Sequence, residues 1–267
     1  MATDTGYMSN TTPHPKRSLR SNTILSAKKS RQTIFKEIVD QCKSNDIRDL
    51  ELVYEGVDPA DGQILAASLE ADSSFERSRA RLNYNPSTEV LRVKLMTTEI
   101  HEAHARWMTI EWQLMASAGW LTVQEIMLLD HGAPGPQFTG FHGLYGAARK
   151  TADWICRVDT ARLPRIVIES GWSENFPNLQ RDKDLWLVGG APDVQLVILL
   201  KWTKLSRSRE KGLIQVWTRD AAGNPVLRQE EFVPGSGNGN DVWDFDISTL
   251  RTIAREKLAA MGLTAAT

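Results

Sequence analysis

The chain has 267 residues, which is enough for one large domain or two small ones with a sizeable buried core. Hydrophobic residues make up 41% and charged residues 24%, an ordinary globular balance, and the formal net charge of −1 excludes a general attraction to nucleic acid or anionic membrane. The two cysteines, Cys42 and Cys156, exclude a disulfide framework, and the longest apolar run, 194–200, is too short to span a bilayer. Because no signal-peptide core follows Met1, we expect an intracellular protein, cytoplasmic or nuclear, with no membrane partner.

Positive charge is concentrated at the start of the chain, where residues 1–36 carry seven lysines and arginines and one acid, Asp4. Residues 1–32 are polar and rich in Ser, Thr, Asn and Pro, which predicts a disordered basic tail. A solvated tail is the simplest interpretation, with a nuclear import signal or a loose nucleic-acid contact as alternatives. Residues 33–80 form a helical or irregular N-terminal segment: apolar residues at three- and four-residue spacing predict a helix over 33–55, and 56–80 shows no clear pattern.

Alternating and periodic patterns predict the next elements. A hairpin is expected over 81–95, followed by a helix that Thr97 or Thr98 caps and that runs to about Ala118. A strand is predicted over 121–129. The Gly- and Pro-containing stretch 130–149 reads as a long loop, and a loop of that length in a compact domain is often functional.

Two short apolar runs, 151–158 and 165–170, predict neighbouring antiparallel strands, because the stretch between them is turn-like. A helix over 174–187 and a strand over 194–202 follow, and a connection of this kind favours parallel pairing of the last two strands. The remainder predicts a hairpin of 212–219 with 226–233, a Gly- and Asn-rich loop at 235–240, a strand over 242–247 and a C-terminal helix from about Ser248.

Two acids interrupt the two antiparallel runs: Asp153 and Glu169 lie sixteen residues apart. A carboxylate on a buried strand face is costly unless a cation holds it. Two carboxylates side by side therefore predict a seat for a divalent metal. The parallel pairing would also bring Lys201, near the end of its strand, to the sheet edge where Glu169 lies.

The order helix, three strands, helix, strand, with acids on the second and third strands, resembles the restriction-endonuclease-like core of the PD-(D/E)XK nuclease superfamily. The runs 164–174, 179–187 and 194–202 are also similar to fungal nuclease-like proteins identified as members of it and to a large bacterial group of related endonucleases. The resemblance implies an α/β fold with a mixed sheet over 81–267, including a β-rich C-terminal extension with a hairpin and a helix.

The resemblance also implies a site. Asp153 and Glu169 match the two acids that hold Mg²⁺, whereas Gly171 stands where the family has a lysine and Ala152 stands where it has a proline. Family members exist in which the lysine has moved to another element. Three lysines are therefore candidates for the catalytic cation, and Lys201 is taken as the first choice over the other two, Lys183 and Lys150.

The implied function is Mg²⁺-dependent hydrolysis of nucleic-acid phosphodiester bonds, with nucleic acid as the partner and a homodimer as a common state among relatives. The alternative is a catalytically degenerate nuclease-fold protein that acts in binding or assembly, which the departures at Gly171 and Ala152 favour. Both classes stay open at this point.

Other interpretations compete for the same residues. Asp153 can be a solvated strand-end residue, and Glu169 can pair with Arg157 or Arg165. Glu102 can be an extra acid of the site, although a solvated helix face is the simpler interpretation. Two further alternatives are a zinc site on His101 and His104 with a third ligand from His131 or His142, and a base-stacking role for Trp154 and Trp172 in place of core packing.

Overall fold

The computed structural model describes residues 29–44, 50–95, 99–100, 102–132, 136–172, 176–228 and 245–265. It is a mixed α/β protein with a three-stranded sheet, a larger mixed sheet and a two-stranded ribbon. The helices are α1 Arg31–Lys43, α2 Pro59–Glu70, α3 Ser73–Ser78, α4 Ala103–Ser117, α5 Val123–Leu128, α6 Phe176–Asp184 and α7 Ile247–Ala260. The strands are β1 Leu50–Tyr54, β2 Arg81–Asn85, β3 Val90–Leu95, β4 Leu129–Gly132, β5 Gln137–Phe138, β6 Lys150–Thr151, β7 Trp154–Val158, β8 Ile166–Gly171, β9 Leu196–Lys204, β10 Arg209–Arg219, β11 Pro225–Arg228 and β12 Thr264–Ala265.

The N-terminal unit is an antiparallel sheet of order β1-β3-β2 that packs with α1, α2 and α3 around its own apolar core. The prediction of a helix over 33–55 is wrong in its second half. The helix ends at Lys43, and Leu50–Tyr54 pairs with β3, because its apolar residues find a partner strand there. The hairpin predicted over 81–95 forms, but it pairs with β1 and not with the larger sheet.

The larger sheet has the order β11-β10-β9-β8-β7-β4, with β12 beside β10. The strands β7 and β8 are antiparallel and β8 and β9 are parallel, which confirms both pairings predicted from the sequence. The connection between β8 and β9 contains α6 and a π-helical turn, Leu185–Gly189. In this register Glu169 lies beside Leu199 and Gly171 lies beside Lys201.

The strand predicted over 121–129 is wrong, because most of that segment is the short helix α5. Thr122 accepts a hydrogen bond from the backbone N–H of Glu125, and the Glu125 carboxylate accepts from the backbone N–H of Thr122. This capping box starts a helix where apolar content alone suggested a strand. The strand that pairs with β7 on the side away from β8 is β4, which begins only at Leu129.

Several boundaries also differ from the predictions. The helix α4 begins at Ala103, and the proposed caps Thr97 and Thr98 lie outside the described residues, as do 1–28, 229–233 and the loop 235–240. The C-terminal helix begins at Ile247, because Asp246 and not Ser248 accepts the capping hydrogen bond. Residues 245–247, which are the described part of the strand predicted over 242–247, therefore do not form a strand.

Apolar layers cover both faces of the larger sheet. Helices α4 and α7 cover one face, where Trp107 and Met115 pack near Ile168 and Ile198 of the sheet. The second layer, formed by α6, the π-helical turn and part of 136–149, covers the other face around Trp186. No helix in the described part of the chain is long and apolar enough to cross a membrane.

Gly62 in α2 provides a test of how closely the N-terminal unit is packed. A Cβ at this position would lie 2.3 Å from Cζ of Tyr84, whose ring is fully buried. Gly→Ala in a helix ordinarily stabilises by about 1 kcal/mol. Here we expect Gly62→Ala to lower the free energy of unfolding by roughly 1–3 kcal/mol, because the ring has no room to move. Chemical denaturation measures this change.

The control is Gln63→Ala, at an exposed position of the same helix. We expect it to change the free energy of unfolding by less than about 0.5 kcal/mol. A Gly62→Ala variant as stable as the wild type would contradict the close contact between α2 and Tyr84.

Candidate functional site

Asp153 lies just before β7 and is 1% exposed. Arg81, which comes from β2 of the N-terminal unit, donates from Nη1 to Oδ1 of Asp153, and the backbone N–H of Ser170 donates to Oδ2 over 2.7 Å. Nη2 of Arg81 also donates to Glu102 over 3.1 Å. Burial acts to lower the pKa of Arg81, but the charges of Asp153 and Glu102 outweigh burial and raise that pKa above its ordinary value. Asp153 is therefore held by the protein's own donors on both oxygens.

Glu169 lies on β8 and is also 1% exposed. Its Oε1 accepts a hydrogen bond of 2.6 Å from Nε1 of Trp186 and lies 3.1 Å from the ammonium of Lys150. Burial raises the pKa of Glu169 to about 7, because the loss of hydration and the repulsion from Asp153 and Asp182 outweigh the attraction of Lys150. Glu169 is thus a carboxyl that changes its charge near neutral pH.

Asp182 on α6 is a third buried acid, which the sequence analysis missed. The ammonium of Lys150 donates to its Oδ2 over 2.9 Å, and Nη2 of Arg92 donates to its Oδ1. Burial acts to raise the pKa of Asp182, but Arg92 and Lys150 outweigh burial and lower it. A signal was present in the sequence: Asp182 lies three residues after Leu179 and four before Trp186, so this acid shares the helix face that both apolar residues bury.

These contacts form two neighbouring chains of alternating charges, which we together call the ion-pair network: Glu102–Arg81–Asp153 and Glu51–Arg92–Asp182–Lys150–Glu169. Nη1 of Arg92 also lies 3.5 Å from Glu51 of β1, so the network begins and ends in different parts of the fold. Its members are the acids Glu51, Glu102, Asp153, Glu169 and Asp182 and the cations Arg81, Arg92 and Lys150. The two arginines come from the N-terminal sheet, so the network attaches that sheet to α6 and to the start of β7 in the larger sheet.

The lysine that contacts Glu169 and Asp182 is Lys150. It is not Lys201, the first choice of the sequence analysis. Lys201 donates to the backbone carbonyls of Trp172 and Trp202 over 2.7 and 2.9 Å. Lys183 pairs with Asp184 over 2.8 Å. The ammonium of Lys201 is therefore directed at backbone carbonyls, whereas that of Lys150 bridges Glu169 and Asp182.

The alternative surroundings suggested for Asp153, Glu169 and Glu102 differ from the contacts in the structure. Asp153 is buried and paired, not solvated. Arg157 pairs with Asp130, and Arg165 lies 3.8 Å from Asp193. Glu102, assigned to a solvated helix face, pairs with Arg81.

The structure also locates two histidines of the suggested zinc site and the two tryptophans of the suggested base-stacking role. His104 is fully buried, with Nε2 3.3 Å from the carbonyl oxygen of Asp153, whereas His101 lies outside the described residues. His131 packs on the ring of Trp112 with centroids 4.5 Å apart. Among the described residues there is no group of three or more His, Cys, Asp or Glu side chains that converge to hold a metal ion. Trp154 is a buried core residue, as expected, and the half-buried Trp172 donates to Glu210 over 2.8 Å.

The carboxylates of Asp153 and Glu169, as they are arranged in this structure, do not suit Mg²⁺. Mg²⁺ requires carboxylate oxygens that are open to it, with water in its remaining positions. Both oxygens of Asp153 accept from Arg81 and Ser170, and Oε1 of Glu169 accepts from Trp186 while lying beside Lys150. A metal ion at these carboxylates would compete with the cations Arg81 and Lys150 that already hold them.

Comparison with protein-family models gives no match, and comparison with curated proteins gives none either.

The ion-pair network predicts a large cost for removing one of its cations. We expect Arg92→Met to lower the free energy of unfolding by about 3–5 kcal/mol, because Asp182 and Glu51 would lose a cation while remaining buried. Chemical denaturation at neutral pH measures the change.

The matched control is Arg106→Met. Arg106 pairs with Glu256 over 2.5 Å, but both side chains are more than half exposed. Exposed pairs contribute about 0–1 kcal/mol, so this variant should lose no more than that. Equal losses in the two variants would contradict a stabilising role for the network.

The raised pKa of Glu169 predicts a pH dependence of stability. The folded-state pKa of about 7 lies above the unfolded value of 4.5, so the native state holds the proton between these values. The contribution of Glu169 is therefore fully present below pH 4.5 and is lost as the pH rises through 7. Relative to Glu169→Gln, the wild type should lose on the order of 2–3 kcal/mol between pH 5 and pH 8. Parallel stability profiles for the two proteins would show that Glu169 does not titrate in this range.

Proposed function

We propose that the chain has a restriction-endonuclease-like core that acts by binding and not by hydrolysis. The observation that carries this proposal is the state of the two acids at the catalytic positions. Asp153 and Glu169 are each 1% exposed and are bonded by Arg81, Lys150 and other donors of the protein itself. In this proposal the role of Asp153 and Glu169 is to hold separate parts of the fold together.

The chemistry of phosphodiester hydrolysis supports the same conclusion. The attacked phosphorus is already anionic, so a site must bring a metal ion, water and the substrate together at open carboxylates. In this protein the carboxylates face cations that belong to the fold. Gly171, where the resemblance calls for a lysine, adds no cation to the site.

The element order supports the proposed core. Helix α4 is followed by β4, β7 and β8, then by α6 and by β9 parallel to β8. This is the order that the resemblance implies, with the short helix α5 inserted before β4 and the two-stranded ribbon of β5 and β6 inserted before β7. A homodimer and a location in the cytoplasm or nucleus stay predictions.

Metal-dependent hydrolysis of nucleic-acid phosphodiesters is the second candidate, and one observation favours it. Asp153 and Asp182 both act to raise the pKa of Glu169, so the acids repel one another despite the cations around them. A divalent cation relieves such repulsion. In this candidate Lys150, and not Lys201, is the cation beside the acids, and a metal ion would compete with Arg81 for Asp153.

Calorimetric titration of Mg²⁺ and of Mn²⁺ separates the two candidates. It compares the wild type with an Asp153→Asn/Glu169→Gln double variant, which keeps the size of both side chains. The same proteins are incubated with supercoiled plasmid and with single-stranded RNA at 5 mM metal. The binding proposal expects no difference in metal binding and no cleavage. Metal binding and cleavage that occur only in the wild type would overturn it in favour of the hydrolase.

A further inference from the structure

A cleft lies between the N-terminal unit and α6, and it encloses about 210 Å³ of empty space that is open to solvent. Its polar lining comes from the β2–β3 hairpin and from one face of α6: Asn85, Thr88, Arg92, Asn178, Arg181 and Asp182. Neither Asp153 nor Glu169 lines it. Pockets for drug-sized ligands span roughly 300–1,000 Å³, so this cleft suits a molecule of few atoms.

Asn85, the last residue of β2, offers a hydrogen-bond donor to the cleft although its side chain is only 8% exposed. Its Oδ1 accepts from the backbone N–H of Ser87 over 3.0 Å and from the Ser87 hydroxyl over 2.9 Å, which fixes the end of the amide that carries the oxygen. The amide nitrogen donates to no residue in the described part of the chain, and it is not sealed in the interior. A donor in so buried a side chain is costly to leave without an acceptor. The acceptor must therefore come from the cleft.

The charges around the cleft favour an anion with a single negative charge. Two arginines, Arg92 and Arg181, line it together with one acid, Asp182, so the lining residues carry a net charge of 2 − 1 = +1. Both oxygens of Asp182 are already bonded, to Arg92 and to Lys150, so this acid is not open to a cation from solvent. Arg181 is exposed and donates to Oδ1 of Asn178 over a long 3.4 Å, which leaves most donors of its guanidinium available.

The direction of α6 adds to the same preference. Asn178 is the third residue of this nine-residue helix, so the cleft lies along its first two turns. The N-terminal end of a helix carries a partial positive charge. An anion in the cleft is therefore favoured by the helix as well as by the two arginines.

We infer that the cleft binds the carboxylate of a small organic acid, a role that goes beyond the proposed function. A carboxylate is planar and accepts through two oxygens, so one can take the Asn85 amide and the other the Arg181 guanidinium. Asn85 belongs to the N-terminal unit and Arg181 to α6, so the bound acid joins the two. A phosphate dianion fits less well, because its second charge would face Asp182 with no further cation in the lining.

The test follows the amide signals of the full chain, labelled with ¹⁵N, by NMR spectroscopy. Sodium acetate is titrated to about 100 mM at constant ionic strength, which covers weak binding. Acetamide, which has the shape of acetate without its charge, and inorganic phosphate are titrated in parallel. The reporters are the side-chain NH₂ of Asn85 and the Nε–H of Arg181. Divalent metal is first removed on a chelating resin, so that an ion at Asp153 and Glu169 cannot contribute.

Two variants change the donors of the cleft while keeping the contacts of the fold. Asn85→Asp retains the oxygen that accepts from Ser87 and replaces the amide nitrogen with a second carboxylate oxygen. Arg181→Gln removes a cation from an exposed position, so it tests the inference even if Asn85→Asp unfolds. The matched control is Arg251→Gln, at an exposed position of α7. Thermal unfolding without ligand establishes that each variant is folded.

We expect acetate to shift the signals of Asn85 and Arg181 saturably in the wild type, with a Kd on the order of 1–10 mM. Arg181→Gln should weaken binding by about 10-fold, because a charge-assisted hydrogen bond is lost. Asn85→Asp should abolish saturation, because its own carboxylate repels the ligand. Arg251→Gln should change the Kd by less than about 2-fold.

Three results would overturn the inference: no saturable shift of the two reporters in the wild type, equal weakening in Arg181→Gln and Arg251→Gln, or binding of phosphate or acetamide at least as tight as that of acetate. The outcome is separable from that of the proposed function. Metal-dependent cleavage would overturn the non-catalytic proposal and leave these metal-free titrations as a valid test of the cleft. Failure of acetate to bind would leave the pairing of Asp153 and Glu169 unchanged.

Discussion

A carboxyl group that is buried away from water must either keep its proton or have a cation within reach, and this constraint ties together the parts of the protein that carry the site. Asp153, Glu169 and Asp182 are each 1% exposed. The cations that hold them come from Lys150 and from Arg81 and Arg92 of the N-terminal sheet. Removing a cation would leave a charge in a medium that cannot solvate it. The N-terminal unit is therefore part of the same electrostatic structure as the larger sheet.

The state of the buried carboxylates bears on what this part of the fold can do. Each acid of the ion-pair network lies against a cation of the fold. Phosphodiester hydrolysis of the kind the resemblance implies needs carboxylates that take up a metal ion. The pairing of these acids with cations of the protein therefore favours binding over catalysis.

Local sequence patterns predicted much of the larger sheet, including β7, β8 and β9, their directions and the proximity of Asp153 to Glu169. Two features could not be read in the same way. The helix α5 depends on the Thr122–Glu125 capping box, which apolar content alone conceals. The ion pairs depend on contacts between Arg81 and Asp153, 72 residues apart, and between Arg92 and Asp182, 90 apart. Such pairings follow from the packing of two sheets, and no local spacing encodes them.

In this structure Arg81 and Lys150 hold the acids that a metal ion would otherwise bridge. The decisive measurement is anomalous diffraction from crystals grown with 10 mM Mn²⁺. We expect no anomalous peak between Asp153 and Glu169, with Nη1 of Arg81 still bonded to Asp153. A manganese peak within about 2.5 Å of both carboxylates, with Arg81 displaced, would contradict it.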